Sequence, residues 1–132
     1  MRTVDVPRRV LVSEDDPAAR IQVVRVLLAE GCRVTVCEDG QSALQAVDRG
    51  GYDLVVVGAL LPDATGVEVL YRLRGRDREV PAILLTGSLA GRLTEACAVI
   101  GRVEIVAKPF TAEGLRRAAV RLSTGVAVSF QE

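Results

Sequence analysis

Acids, a hydroxyl and one lysine recur in this chain directly after short apolar runs, a spacing that lets one site gather them. Ser13-Glu14-Asp15-Asp16 follows Val10-Leu11-Val12, and Thr86-Gly87 follows Ile83-Leu84-Leu85. Lys108-Pro109-Phe110 comes just after Ile105-Val106. Adjacent carboxylates are hard oxygen donors. Such a set would need a third carboxylate to do chemistry. The remaining run, Leu54-Val55-Val56-Val57, delivers Gly58 instead. Lys108 is the one lysine in a chain whose other cations are arginines.

These residues meet only if the runs are neighbouring strands. Together with Val34-Thr35-Val36 there are five runs, most of them continuously apolar and β-branched. That is the pattern of strands buried on both faces of a parallel sheet. Helix-period segments separate them. Asp16 is placed to cap a helix with Pro17 at its first position, with Ile21, Val24 and Leu28 on one face and Gly31 after its end. Ser42 to Asp48 turns Ala43, Leu44 and Val47 to one side and stops at Gly50-Gly51. Val67, Leu70 and Leu73 form a third stripe before Gly75, and Leu93, Cys97 and Ile100 a fourth before Gly101. Thr111 caps a fifth helix whose stripe is Leu115, Ala118, Ala119 and Leu122. The order is β-α five times over, which right-handed crossovers wind into an open α/β sheet. Ligands of such sheets bind at the carboxyl ends of the strands, where the acids, Thr86 and Lys108 fall.

The 132 residues suit one domain. Residues 9–123 are read as that domain, 1–8 as a lead, and 124–132 as a tail that is equally an extra strand or the stub of a linker. Only four residues are aromatic, so aliphatics must fill the core. There is no histidine, which excludes histidine-based triads and the common metal sites, and three cysteines without a C-x-x-C pair suggest neither a disulfide framework nor zinc. Zero net charge gives no sign of nucleic-acid binding. No apolar stretch is long enough for a membrane span. A cytoplasmic setting is expected.

In order and spacing, the acidic pair Glu14-Asp15, the Asp-Leu-Val-Val-Val run into Leu61-Pro62-Asp63-x-x-Gly66, Thr86, and Lys108-Pro109-Phe110 resemble the receiver domain of bacterial two-component response regulators. The resemblance covers Val10 to Phe110. It implies a flavodoxin-like (βα)5 fold with five parallel strands in the order 2-1-3-4-5. It also implies magnesium at the acidic pair, and phosphoryl transfer from a partner histidine kinase to an aspartate ending the third strand. The lysine and threonine then hold the phosphoryl oxygens, and an aromatic on the fifth strand reports the threonine's shift. Carried over, Glu14 and Asp15 match the acidic pair, Thr86 the hydroxyl, Lys108 the lysine and Pro109 a proline whose bond is often cis. Gly58 stands at the phosphoacceptor position and Ile105 at the aromatic switch position.

Both departures break one pathway. The expectation is a pseudo-receiver with no catalytic residue and no required cofactor, which signals by phosphorylation-independent protein contact. Glu14, Asp15, Thr86 and Lys108 would be a degenerate acidic pocket. One competing reading keeps a cation or small-anion switch there, with Glu14, Asp15 and the Leu60 carbonyl as oxygen donors. Another makes the chain a regulator lacking an output half. The plain alternatives are that Asp16 is a helix cap, that Glu14 and Asp15 form an ion pair with Lys108, and that Arg72, Arg74, Arg76 and Arg78 form a solvated helix end. Asp63 is expected to be an ordinary loop acid rather than a replacement phosphoacceptor. The fourth helix carries one charge between Thr94 and Ile100. Ala98 and Val99, with Ile105 beside them, are therefore expected to form a partner face, one that serves dimerisation and output in the resembled family.

Overall fold

The computed structural model describes residues 7–87 and 90–124. The first six residues of the lead and the tail from 125 onward, with its expected strand or linker, lie outside them. Ten elements alternate: β1 (Arg9–Ser13), α1 (Pro17–Ala29), β2 (Arg33–Cys37), α2 (Gly40–Asp48), β3 (Leu54–Gly58), α3 (Gly66–Arg76), β4 (Ala82–Thr86), α4 (Ala90–Ile100), β5 (Val103–Ala107) and α5 (Ala112–Thr124). All neighbouring strands pair in parallel, in the order β2-β1-β3-β4-β5. This is the flavodoxin-like architecture.

Side chains alternate across a strand, so each inner run feeds two cores. Leu11, Val55, Val57 and Leu84 pack with residues of α2, α3 and α4. Val10, Val12, Val56, Ile83 and Leu85 pack with Val23 and Leu27 of α1 and with Leu115 and Ala118 of α5. Every residue of β3 and β4 is buried. The edge strand β2 is not: Val36 is 45% exposed.

Three local expectations are corrected. In α1 the buried face is Ala19, Val23 and Leu27, whereas Ile21 and Leu28 are half exposed. This helix carries aliphatics around its circumference, so periodicity alone does not choose the face that meets the sheet. Helix α2 begins at Gly40 rather than Ser42, because the Asp39 side chain accepts from Ser42 N at 2.8 Å. Helix α3 runs through Gly75 to Arg76. It opens with a capping box, in which Thr65 accepts from Glu68 N while Glu68 accepts from Thr65 N.

The end of α3 is not merely solvated. The guanidinium of half-buried Arg74 donates to Gly101 O at 2.8 and 3.0 Å and to Asp77 O at 3.1 Å, tying α3 to the α4–β5 turn. Arg76 pairs with Asp48 at 2.8 Å and ties α3 to α2.

Candidate functional site at the carboxyl rim

Register brings the site together. Ser13 pairs with Val57, Gly58 with Leu85 and Thr86 with Ala107. The residues leaving β1, β3, β4 and β5 therefore stand side by side on one rim. Lys108 N donates to Thr86 O at 2.7 Å, and the Lys108–Pro109 bond is cis. Gly66 holds the β3–α3 connection close: its N–H donates to Ala59 O at 2.8 Å, and a Cβ there would lie 2.3 Å from the Gly58 carbonyl.

The acidic pair divides. Glu14 is 1% exposed, while Asp15 and Asp16 face solvent. Glu14 Oε2 accepts from Asp16 N at 2.9 Å. Glu14 Oε1 stands 2.9 Å from Lys108 Nζ, an ion pair at charge-contact distance that lacks hydrogen-bond alignment. A buried carboxylate of this kind depends on its counter-ion. Asp16 occupies the N-cap position of α1, but its side chain makes no capping bond, which corrects that expectation. The bond from Asp16 N to Glu14 takes up one of the free donors at that helix start.

Gly58 ends β3 fully enclosed. A Cβ built on it would lie 2.6 Å from Glu14 Oε1 and 3.0 Å from Glu14 Cδ. The Glu14 carboxylate thus fills the space a side chain at position 58 would enter. Thr86 is 2% exposed. Above these residues opens a cavity of about 520 Å³, walled by Leu60, Val67 and Leu93 and floored by Glu14, Thr86 and Lys108.

Asp63 lies apart from the pair. Its carboxylate accepts from Gly40 N at 2.7 Å and Gln41 N at 2.9 Å, and those N–H donors hold its pKa below the usual carboxylate range. It caps α2 from a distant loop. Ile105 is half buried in β5 beside Leu84. On α4, Ala98 is exposed and Val99 is 84% exposed. Sequence reasoning brought Glu14 and Lys108 to one rim but did not show the carboxylate of Glu14 in the space beside Gly58. A glycine next to a long acid is the signal that would have found it.

For magnesium, the donor set does not fit. One of the two acids is turned inward against an ammonium, position 58 offers no carboxylate, and among the described residues no group of three or more His, Cys, Asp or Glu side chains is placed to hold a metal ion. Magnesium demands near-octahedral oxygen ligation.

A five-stranded parallel sheet in this order, with its polar site where the strands end, is the CheY-like flavodoxin fold. The response regulator receiver domain family matches residues 10–120, and the chain belongs to that family, the receiver module of two-component signalling. It is 38% identical over 122 residues to the probable transcriptional regulatory protein TcrX of Mycobacterium tuberculosis, covering 91% of this chain and 52% of TcrX. TrcR of the same organism is 38% identical over 111 residues, covering 83% of this chain and 42% of TrcR. The chain therefore spans about half the length of these curated relatives. Among solved structures, the receiver domain of NtrX from Brucella abortus superposes with a TM-score of 0.82 at 25% identity, over 89% of this chain and 99% of that one. The chemotaxis regulator CheY4 of Vibrio cholerae shares the fold with a TM-score of 0.79, at 24% identity over 87% of this chain and 98% of CheY4. No helix among the described residues is long and apolar enough to cross a membrane.

Proposed function

We propose that this receiver domain signals without being phosphorylated, through contact with a protein partner. The observation that carries the reading is Gly58, which ends β3 at the phosphoacceptor position and offers no carboxylate. Glu14 and Asp63 are both committed elsewhere. Glu14 is buried, with one oxygen on a backbone N–H and the other beside Lys108. Both oxygens of Asp63 are engaged at the start of α2. A phosphoacceptor has to present an oxygen in line with the donor, whereas the Asp63 oxygens are spent on Gly40 and Gln41 and Glu14 is closed off by burial.

On this reading the domain needs no magnesium, and Glu14, Asp15, Thr86 and Lys108 are a relic pocket. Ile105 supplies no ring to turn inward when Thr86 moves, so the relay behind the site is lost as well. The partner binds the face of α4, β5 and α5 at Ala98 and Val99, by docking of a second copy or of another signalling protein in the cytoplasm. The names of TcrX and TrcR tie those relatives to transcription. The output proposed for this chain is regulatory contact of that kind, with residues 9–123 as the receiver unit.

Intact-mass analysis after incubation with acetyl phosphate and magnesium tests the reading. The mass is expected to stay unchanged. A phosphoryl adduct mapped to any carboxylate of the rim overturns it.

A further inference from the structure

The geometry points to Glu14 as an internal replacement for the side chain that Gly58 lacks, with the two positions acting as a reciprocal pair that fixes Lys108. This rests on the reading that position 58 takes no phosphoryl group. Glu14 Oε1 lies 2.6 Å from where a Cβ on Gly58 would stand, closer than atoms pack, and Cδ and Oε2 follow at 3.0 and 3.2 Å. Position 58 and Glu14 therefore cannot both fill that space. Gly58 is not among the glycines with positive φ, so its backbone takes a side chain without strain, and the three atoms nearest an added Cβ all belong to the carboxylate tip of Glu14. That tip is the end of a flexible side chain, so Glu14, not the strand, yields to a larger residue.

Two consequences follow from one rotamer. Turned inward, Glu14 brings Oε1 to 2.9 Å from Lys108 Nζ and supplies the counter-ion that a carboxylate at position 58 would have supplied. The same turn withdraws Glu14 from Asp15, which stays at the surface. Filling the hole and dismantling the acidic pair are thus a single event. Gly58 is the space that permits it, and Glu14 is a positioning residue acting on Lys108. The rim is held in one arrangement by the chain's own side chains, with no ligand required.

Lys108 is the one lysine in the sequence, so lysine-selective 13C and 15N labelling of the full chain yields a single side-chain reporter. Gly58→Ala is expected to expel Glu14 and shift the Lys108 Cε and Nζ signals in the same direction as Glu14→Gln does. In the Glu14→Gln background, Gly58→Ala is expected to add little, because the ion pair is already gone. An unmoved Lys108 signal in Gly58→Ala, or shifts that simply add, overturns the proposal. If Gly58→Ala does not fold, Gly58→Ala combined with Glu14→Ala is expected to fold, since the new methyl then enters vacated space. Failure of that rescue also overturns it. Wild-type chain exposed to beryllium fluoride and magnesium gives the separate control. A response there contradicts the functional reading, whereas the Lys108 comparison addresses the Gly58–Glu14 pair alone.

Discussion

The rim and the outer surface of α4 treat their side chains in opposite ways. At the rim, an acid and the chain's one lysine face each other at 2.9 Å, with the acid 1% exposed. On α4, Val99 is 84% exposed beside exposed Ala98. Buried charge has been neutralised internally, whereas apolar surface has been left open. A site that works on ligands keeps polar groups uncommitted, and a site that works by contact keeps apolar area available. The contrast supports a domain whose business lies on its flank rather than at its strand ends.

The rim side of the comparison breaks most sharply with Lys108→Met. That change strands the Glu14 carboxylate in the protein without a counter-ion, a class of change that costs about 3 kcal/mol or more. Urea unfolding at neutral pH should show the loss, and Glu14→Gln should cost less, because Lys108 is 27% exposed and can turn to water. A Lys108→Met domain as stable as wild type would show that the pair does not hold the rim.

Arg74→Ala comes next. It removes the donors to Gly101 O and Asp77 O, and hydrogen bonds from a charged group are worth about 2 kcal/mol. Hydrogen exchange should quicken in the α4–β5 turn while the rim amides stay protected. Equal loss at both places would blur the distinction between the two regions.

Smaller effects come from exposed carboxylates. Arg116, then Arg117, holds the Glu113 pKa down to about 2 from an ordinary 4.5 by hydrogen bonding. A depressed carboxylate stabilises the fold fully above its unfolded pKa, and that contribution is lost as pH falls through the folded one. The Glu113 share is therefore whole above 4.5 and disappears progressively down to about 2. Asp63 behaves in the same sense, held down first by Gly40 N–H and then by Gln41 N–H. Asp63→Asn should flatten the acid limb of a stability-against-pH curve. An acid limb identical to wild type would remove Asp63 from its capping role.

The smallest expected change in stability belongs to the other region. Val99→Glu alters a surface position and should shift unfolding by under about 0.5 kcal/mol. Sedimentation and partner capture should nonetheless show that association through α4 is lost. Undiminished association would move the contact face elsewhere.

The strands were legible because both-faces burial leaves continuous aliphatic runs, as in Leu54 to Val57. The helices were legible in number and mostly in face. In α1, aliphatics lie all round, and only packing against β1, β2 and α5 selects Val23 and Leu27 over Ile21 and Leu28. The rim was legible as a set, since Glu14, Gly58, Thr86 and Lys108 each stand within two residues of the end of a run. Which way Glu14 turns was not, because rotamers answer to space, and the space at Gly58 is set by strand register. The roles of Asp63 and Arg74 escaped for a related reason. Their partners lie 23 and 27 residues away in sequence.

The central claim is that no phosphoryl chemistry reaches this rim. Amide NMR spectra of the full chain with magnesium, recorded with and without beryllium fluoride, test it most directly. The spectra are expected to superimpose. Site-specific shifts clustered at Thr86 and Lys108, saturating with beryllium fluoride, would contradict it.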